Sequence, residues 1–122
     1  METGLTYSSK TVVDERNTAI ALGSGDMPVF ATPAMMALME NAAMLAVSSH
    51  LPEGSTTVGG HIESSHLKPS PIGAEVEATA TLDKIDGRKL YFSIVARLGN
   101  DVIGEGKHLR FIVDRERFLS KL

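Results

Sequence analysis

Apolar and polar residues alternate through most of the second half of this chain. Over residues 74–82, Val76, Ala78, Ala80 and Leu82 share one face, and Glu75, Glu77, Thr79 and Thr81 the other. Over 89–98 the inward set is Leu90, Phe92, Ile94, Ala96 and Leu98. Asp86-Gly87 between these runs, and Gly99-Asn100-Asp101 after the second, are hairpin signals. A last strand covers 102–113, where Gly104 and Gly106 mark a bulge or a close backbone approach. Two earlier strands are expected over 5–13 and 56–67, the second followed by a turn at Pro69, Pro71 and Gly73. Residues 14–27 carry the apolar run Ala19 to Leu22 and then Gly23-Ser24-Gly25-Asp26, and read as a loop with one short turn. The charged tail 115–122, with Phe118 and Leu119, has room for one helical turn.

One stretch breaks the alternation. Residues 30–51 are Ala, Met and Leu almost all round, and form the only long helix candidate. Pro33 suits a first helical turn. Thr32, directly before a proline, is expected outside the α region as the N-cap. Pro52-Glu53-Gly54 stops the helix. A helix apolar on every side is buried. Within it stands one ionisable residue, Glu40, beside Asn41. A carboxylate there is costly unless paired, hydrogen-bonded or protonated, so Glu40 is a structural acceptor, a residue facing a solvent gap between subunits, or a reacting group.

The order is strand, long helix, then four strands joined largely by hairpins. One face of the helix can lie on a strongly curved antiparallel sheet, and the rest must meet loops or another subunit. This α+β pattern is that of the hot-dog fold, a curved antiparallel sheet wrapped around one long central helix, in a single domain over 1–122. Such domains usually dimerise by joining sheets side by side, which removes an exposed edge.

Composition narrows the chemistry. The 122 residues are 43% hydrophobic and 22% charged, as in an ordinary globular domain. There is no cysteine, and so no disulfide, thiolate nucleophile or thiolate metal site. A net charge of −3 argues against nucleic-acid binding. No apolar run approaches a membrane span and the first residues do not resemble a signal peptide, so a cytoplasmic location without membrane attachment is expected. Of the six methionines, Met35, Met36, Met39 and Met44 fall on the helix, where thioethers serve as core filler or as an adaptable pocket lining.

His66 shares its strand face with Ile62 and Ser64, while His61 and Glu63 point the other way. If Ile62 faces the helix, so does His66. Thr32 and Glu40 are eight residues apart, about 12 Å of helical rise, too far for a direct hydrogen bond. Either Thr32 sits in a loop that folds back or the site is assembled from two subunits. His50 lies near the helix end, and His61 and His108 on sheet faces. No histidine pair has metal spacing, and no metal or cofactor is expected.

A resemblance now becomes specific. Val29-Phe30-Ala31-Thr32 followed by Met36-x-Leu38-Met39-Glu40 resembles the fluoroacetyl-CoA thioesterase family of hot-dog proteins. So do Gly59 seven residues before His66, Pro71-x-Gly73, Gly104-x-Gly106-x-His108-x-Arg110 and the late Phe118. The resemblance implies an acyl-CoA thioesterase with Thr32, Glu40 and His66 as its catalytic set. It also implies that Gly59 and Arg110 lie near the thioester. Phe30 and the helix methionines would line the acyl pocket. A homodimer or dimer of dimers, and an acyl-CoA substrate, complete the expectation. Asn41 replaces an aromatic residue found in the fluoroacetyl enzyme itself, and the segment before Thr32 is shorter, so short acyl groups are expected without fluoroacyl selection. The competing readings are a hot-dog hydratase or dehydratase and a non-catalytic acyl-CoA-binding protein.

Overall fold

The computed structural model describes all 122 residues. Strand β1 (Thr6–Val12) leads through a one-turn helix, α1 (Ala19–Leu22), to the long helix α2 (Thr32–Ser48). Strands β2 (Ser55–His66), β3 (Glu75–Asp86), β4 (Lys89–Leu98) and β5 (Asp101–Asp114) follow, and a short helix α3 (Arg115–Ser120) closes the chain. The strands form one antiparallel sheet in the order β1-β3-β4-β5-β2. β1 and β2 are therefore opposite edges, and α2 carries the chain from one edge to the other across the curled sheet. This is the expected hot-dog arrangement.

Period-two patterning explains the sheet. Val76, Ala78, Ala80 and Leu82 of β3, and Leu90, Phe92, Ile94 and Ala96 of β4, are all buried in one cluster with α2. The hairpin turns contain Gly87 and Gly99, both at φ 60°, a left-handed conformation that glycine adopts without strain. β3 runs past Leu82, where its alternation ends, because a bulge between Leu82 and Lys84 resets the register and lets it continue to Asp86.

The helix differs from its sequence reading in two ways. Its buried stripe is Met35, Met39, Ala42, Ala43, Ala46 and Val47, the i, i+4, i+7 spacing of one face. The opposite side is not covered by this chain: Ala37 is exposed and Met36, Leu38, Met44 and Leu45 are only partly buried. The N-cap is also displaced. Ala31 caps the helix with extended backbone (φ −73°, ψ 139°) and no side-chain bond, and its carbonyl accepts from Met35 N–H at 3.0 Å. Thr32 is thus the first helical residue despite the proline that follows it, and its hydroxyl is bonded to a strand side chain rather than to the helix backbone. The apolar run in 14–27 becomes α1, capped by Thr18 and ended by Gly23 at φ 68°.

Candidate functional site

Edge strand β2 supplies the sheet side of the site. Over its second half Ile62, Ser64 and His66 are partly buried, while His61, Glu63 and Ser65 are exposed, as the alternation requires. His66 is paired with Gly104 of β5. A side chain at Gly104 would come within 2.6 Å of Met35 Sδ and 3.0 Å of the Ser65 carbonyl. This glycine marks a close approach of helix to sheet, as its sequence context predicts.

At the start of α2, Thr32 Oγ1 lies 2.7 Å from His66 Nδ1. The Phe30 ring packs edge-on against the imidazole, with centroids 6.4 Å apart and planes at 82°. His66 Nε2 is buried without a hydrogen-bond partner. Burial holds His66 below the ordinary histidine range, favouring the neutral ring. Thr32, His66, Phe30 and Lys68 line a cleft of about 270 Å³ beside α1.

Two turns along the helix, Glu40 forms the second part of the site. Its Oε2 is 3.7 Å from Arg110 Nη1 and 3.9 Å from His108 Nε2. Gly59 makes room for it: a Cβ there would fall 2.8 Å from that same oxygen. Glu40 is not the buried lone carboxylate its apolar neighbours suggest. Its side chain is 42% exposed, because the buried stripe of α2 runs through Met35 and Met39 and leaves Glu40 on the helix flank above β2.

Arg110 is 6% exposed, and each of its three nitrogens donates one hydrogen bond. Its Nε donates to Thr57 Oγ1 at 2.8 Å, its Nη2 to the Thr57 carbonyl at 2.9 Å, and its Nη1 to His108 Nε2 at 3.1 Å. Burial lowers its pKa, and Glu40 opposes that shift. His108 in turn donates from Nδ1 to the His61 carbonyl at 2.7 Å. A bulge between Gly59 and His61 lies at this contact and leaves Gly60 as the extra residue.

Of the residues singled out in the sequence, the structure brings Thr32, His66 and Phe30 together, and separately brings Glu40, Gly59 and Arg110 together. Glu40 has no hydrogen bond to Thr32 or His66. Met36 lies between Thr32 and Glu40 on the same flank of α2. Sequence reasoning gave no role to His108 or Thr57. The alternation of Gly104, Gly106, His108 and Arg110 is the signal that places His108 on the inward face, and Thr57 is two residues before Gly59 on its strand.

Over residues 13–116 the chain matches the family described as fluoroacetyl-CoA-specific thioesterase. It is 37% identical over 94 residues to the fluoroacetyl-CoA thioesterase of Streptantibioticus cattleyicolor, covering 77% of this chain and 68% of that protein. A solved structure of a fluoroacetyl-CoA thioesterase superposes with a TM-score of 0.92 at 32% identity, over 99% of this chain and 94% of the other. A thioesterase superfamily member from Thermus thermophilus superposes with a TM-score of 0.90 at 27% identity, over 98% of this chain and 88% of its own.

Proposed function

The chain belongs to the fluoroacetyl-CoA-specific thioesterase family, and from that premise we propose that it hydrolyses short acyl-CoA thioesters with Thr32, Glu40 and His66. The observation that supports the residue set best is the 2.7 Å contact between Thr32 and His66 on the wall of a cleft. Helix capping does not require that bond, since Ala31 is the cap.

Thioester hydrolysis needs an attacking oxygen, a donor for the developing oxyanion and a proton for the departing thiolate. Glu40 is the one carboxylate at the site with an exposed face. It supplies the attack in one of two ways: its own oxygen adds to the carbonyl, or it takes the proton of a water that does. In the first route an acyl–glutamyl anhydride forms and water then cleaves it. Single-turnover hydrolysis in ¹⁸O water identifies the anhydride route where water attacks the glutamyl carbonyl, because the product then carries one unlabelled protein carboxylate oxygen. Trapping the anhydride with hydroxylamine identifies it where water attacks the acyl carbon. The departing thiolate takes its proton from the Glu40 carboxyl that received it from water, or from solvent in the anhydride route, while His66, held neutral, and Thr32 share a proton across their short contact. Backbone N–H groups of the first turn of α2 lie beside Thr32 and suit an oxyanion.

Met35 and Met39 are buried in the core and do not line the cleft, contrary to the expected methionine pocket. Phe30 and the partly exposed Met36 are left to bound a small acyl group. A methylene in such a pocket changes selectivity by only about 1–3 kcal/mol, so a broad short-chain preference follows, without selection for fluoroacetyl-CoA. A homodimer or dimer of dimers would cover the open flank of α2 and the free edge of β2. A monomer by light scattering at micromolar concentration would end that part of the reading.

The test is an acyl-CoA panel from acetyl to decanoyl, with phenylacetyl- and fluoroacetyl-CoA, in the presence of a thiol reagent. Thiol release from the short acyl-CoAs, abolished in Glu40→Gln, is the expected result. Loss of enoyl absorbance without thiol would identify a hydratase. Binding with neither signal would identify a non-catalytic acyl-CoA-binding protein.

A further inference from the structure

His108 belongs to the site, yet the proposed reaction does not use it. It is 3% exposed, and its two ring nitrogens face groups of opposite kind. The His61 carbonyl, 2.7 Å from Nδ1, can only accept, so Nδ1 carries a proton. Arg110 Nη1, 3.1 Å from Nε2, can only donate, so Nε2 must present a lone pair. The neutral Nδ1–H tautomer alone satisfies both contacts. A proton on Nε2 would set N–H against N–H and place a second cation beside a buried guanidinium.

We infer that His108 is a positioning residue: its bare Nε2 holds Arg110 in place beside Glu40, and a single proton on it switches the site off. The inference rests on the thioesterase reading only in taking hydrolysis as the activity lost. Protonation would break the bond from Arg110. It would also offer an N–H to Glu40 Oε2, now 3.9 Å away, and tie up the carboxylate that the reaction needs free. The charged and titratable groups around the ring are Arg110 on its own strand, Glu40 from α2 and His61 from β2. β4 contributes Phe92, with ring centroids 6.3 Å apart, and no charge. Burial is the largest influence and keeps the ring neutral, with Arg110 adding to it. The His61 carbonyl and Glu40 act in the opposite direction.

Two variants and one spectrum test this. In His108→Gln the amide oxygen can accept from Arg110 but cannot become a cation. At pH 8 its kcat should stay within about threefold of wild type, and the acid limb of its kcat/KM profile should lose one titrating proton. His108→Leu removes the acceptor and leaves the guanidinium short of a partner, so kcat should fall by roughly ten- to a hundredfold with KM little changed. The spectrum is ¹⁵N NMR of the histidine rings of the wild-type protein, which needs no substrate. At pH 8 His108 should show a protonated Nδ1 and a bare Nε2, and should charge only below the ordinary histidine range. A protonated Nε2 at pH 8, or an acid limb unchanged in His108→Gln, overturns the inference. If His108→Leu does not fold, the glutamine variant and the ring spectrum decide. If wild type hydrolyses no acyl-CoA, the proposed function fails, and the ring spectrum alone supports or overturns the role of His108.

Discussion

The two halves of the site are built on different principles. At the N-terminus of α2, Thr32 and His66 are two neutral groups joined by one short hydrogen bond. Further along the same helix, Glu40 faces a buried guanidinium held by Thr57 and His108 through three donated bonds. The first half is a pair that either partner can dissolve. The second is over-determined on its cationic side and loose on its anionic side, where Glu40 makes no hydrogen bond below 3.5 Å and keeps a solvent-facing surface. Fixed charge stands beside mobile charge, so the carboxylate is free to move toward a substrate while the field that orients it stays put.

That contrast can be broken most severely at its mobile member. Glu40→Gln keeps size and shape and removes the charge, so kcat/KM should fall by about a thousandfold, within the range for loss of an acid–base group. Because the side chain is half exposed, the melting temperature should barely change. A variant with near-normal turnover would remove Glu40 from the reaction. Next in size is Thr32→Ala, expected to lose roughly tenfold to a hundredfold in kcat as His66 Nδ1 loses its partner. Thr32→Ser should restore most of it. Helix stability measured by denaturant should change little in either, since Ala31 rather than Thr32 is the cap.

Two glycines stand where the helix side chains meet the sheet, one in each half of the site. In Gly59→Ala the new methyl meets Glu40 Oε2, the far end of a flexible side chain that can swing aside. The expected outcome is a several-fold loss of kcat with unchanged stability. In Gly104→Ala the methyl meets Met35 Sδ in the core and the backbone carbonyl of Ser65, neither of which can yield freely. That variant should lose about 1–3 kcal/mol of stability by chemical denaturation.

The smallest effect is on the pH dependence of stability. His66 and His108 both have folded-state pKa values below the ordinary 6.5. Between each lowered value and 6.5 the unfolded chain binds more protons than the folded one, so stability rises with pH through that window and levels off above it. Thermal melts from pH 5 to 8 should show this slope. It should flatten in His108→Gln, and an unchanged slope would mean that His108 does not carry it.

Much of the fold was legible because period-two patterning and hairpin turns are local signals. The even positions of β3 and β4 had to share one buried face, and the apolar stretch after Pro33 had to be the helix that covers it. The errors came where distant contacts overrule local rules. Thr32 looked like a cap from its proline, but it is a helical residue whose hydroxyl faces a histidine 34 positions away. Glu40 looked buried because its neighbours are apolar, but which flank a helix turns to the sheet depends on packing, and that flank was set by Met35 and Met39. Arg110 and Thr57 meet across 53 residues, through a strand pairing and a bulge that no short window shows. His108 was visible as an inward position, and its role appears only once both of its ring partners are in place.

The position of β2 at the rim of the sheet gives the site a lifetime of its own. Thr57, Gly59, His61 and His66 all ride on a strand held by a single ladder, to β5. Opening that ladder dismantles both halves of the site together while β3 and β4 remain paired. Amide hydrogen exchange should therefore be faster in β2 than in β4, through a local opening that costs less than global unfolding. Where a second copy of the chain docks along that rim, mass action would slow the opening as concentration rises. The persistence of the assembled site would then depend on how much of the protein is present.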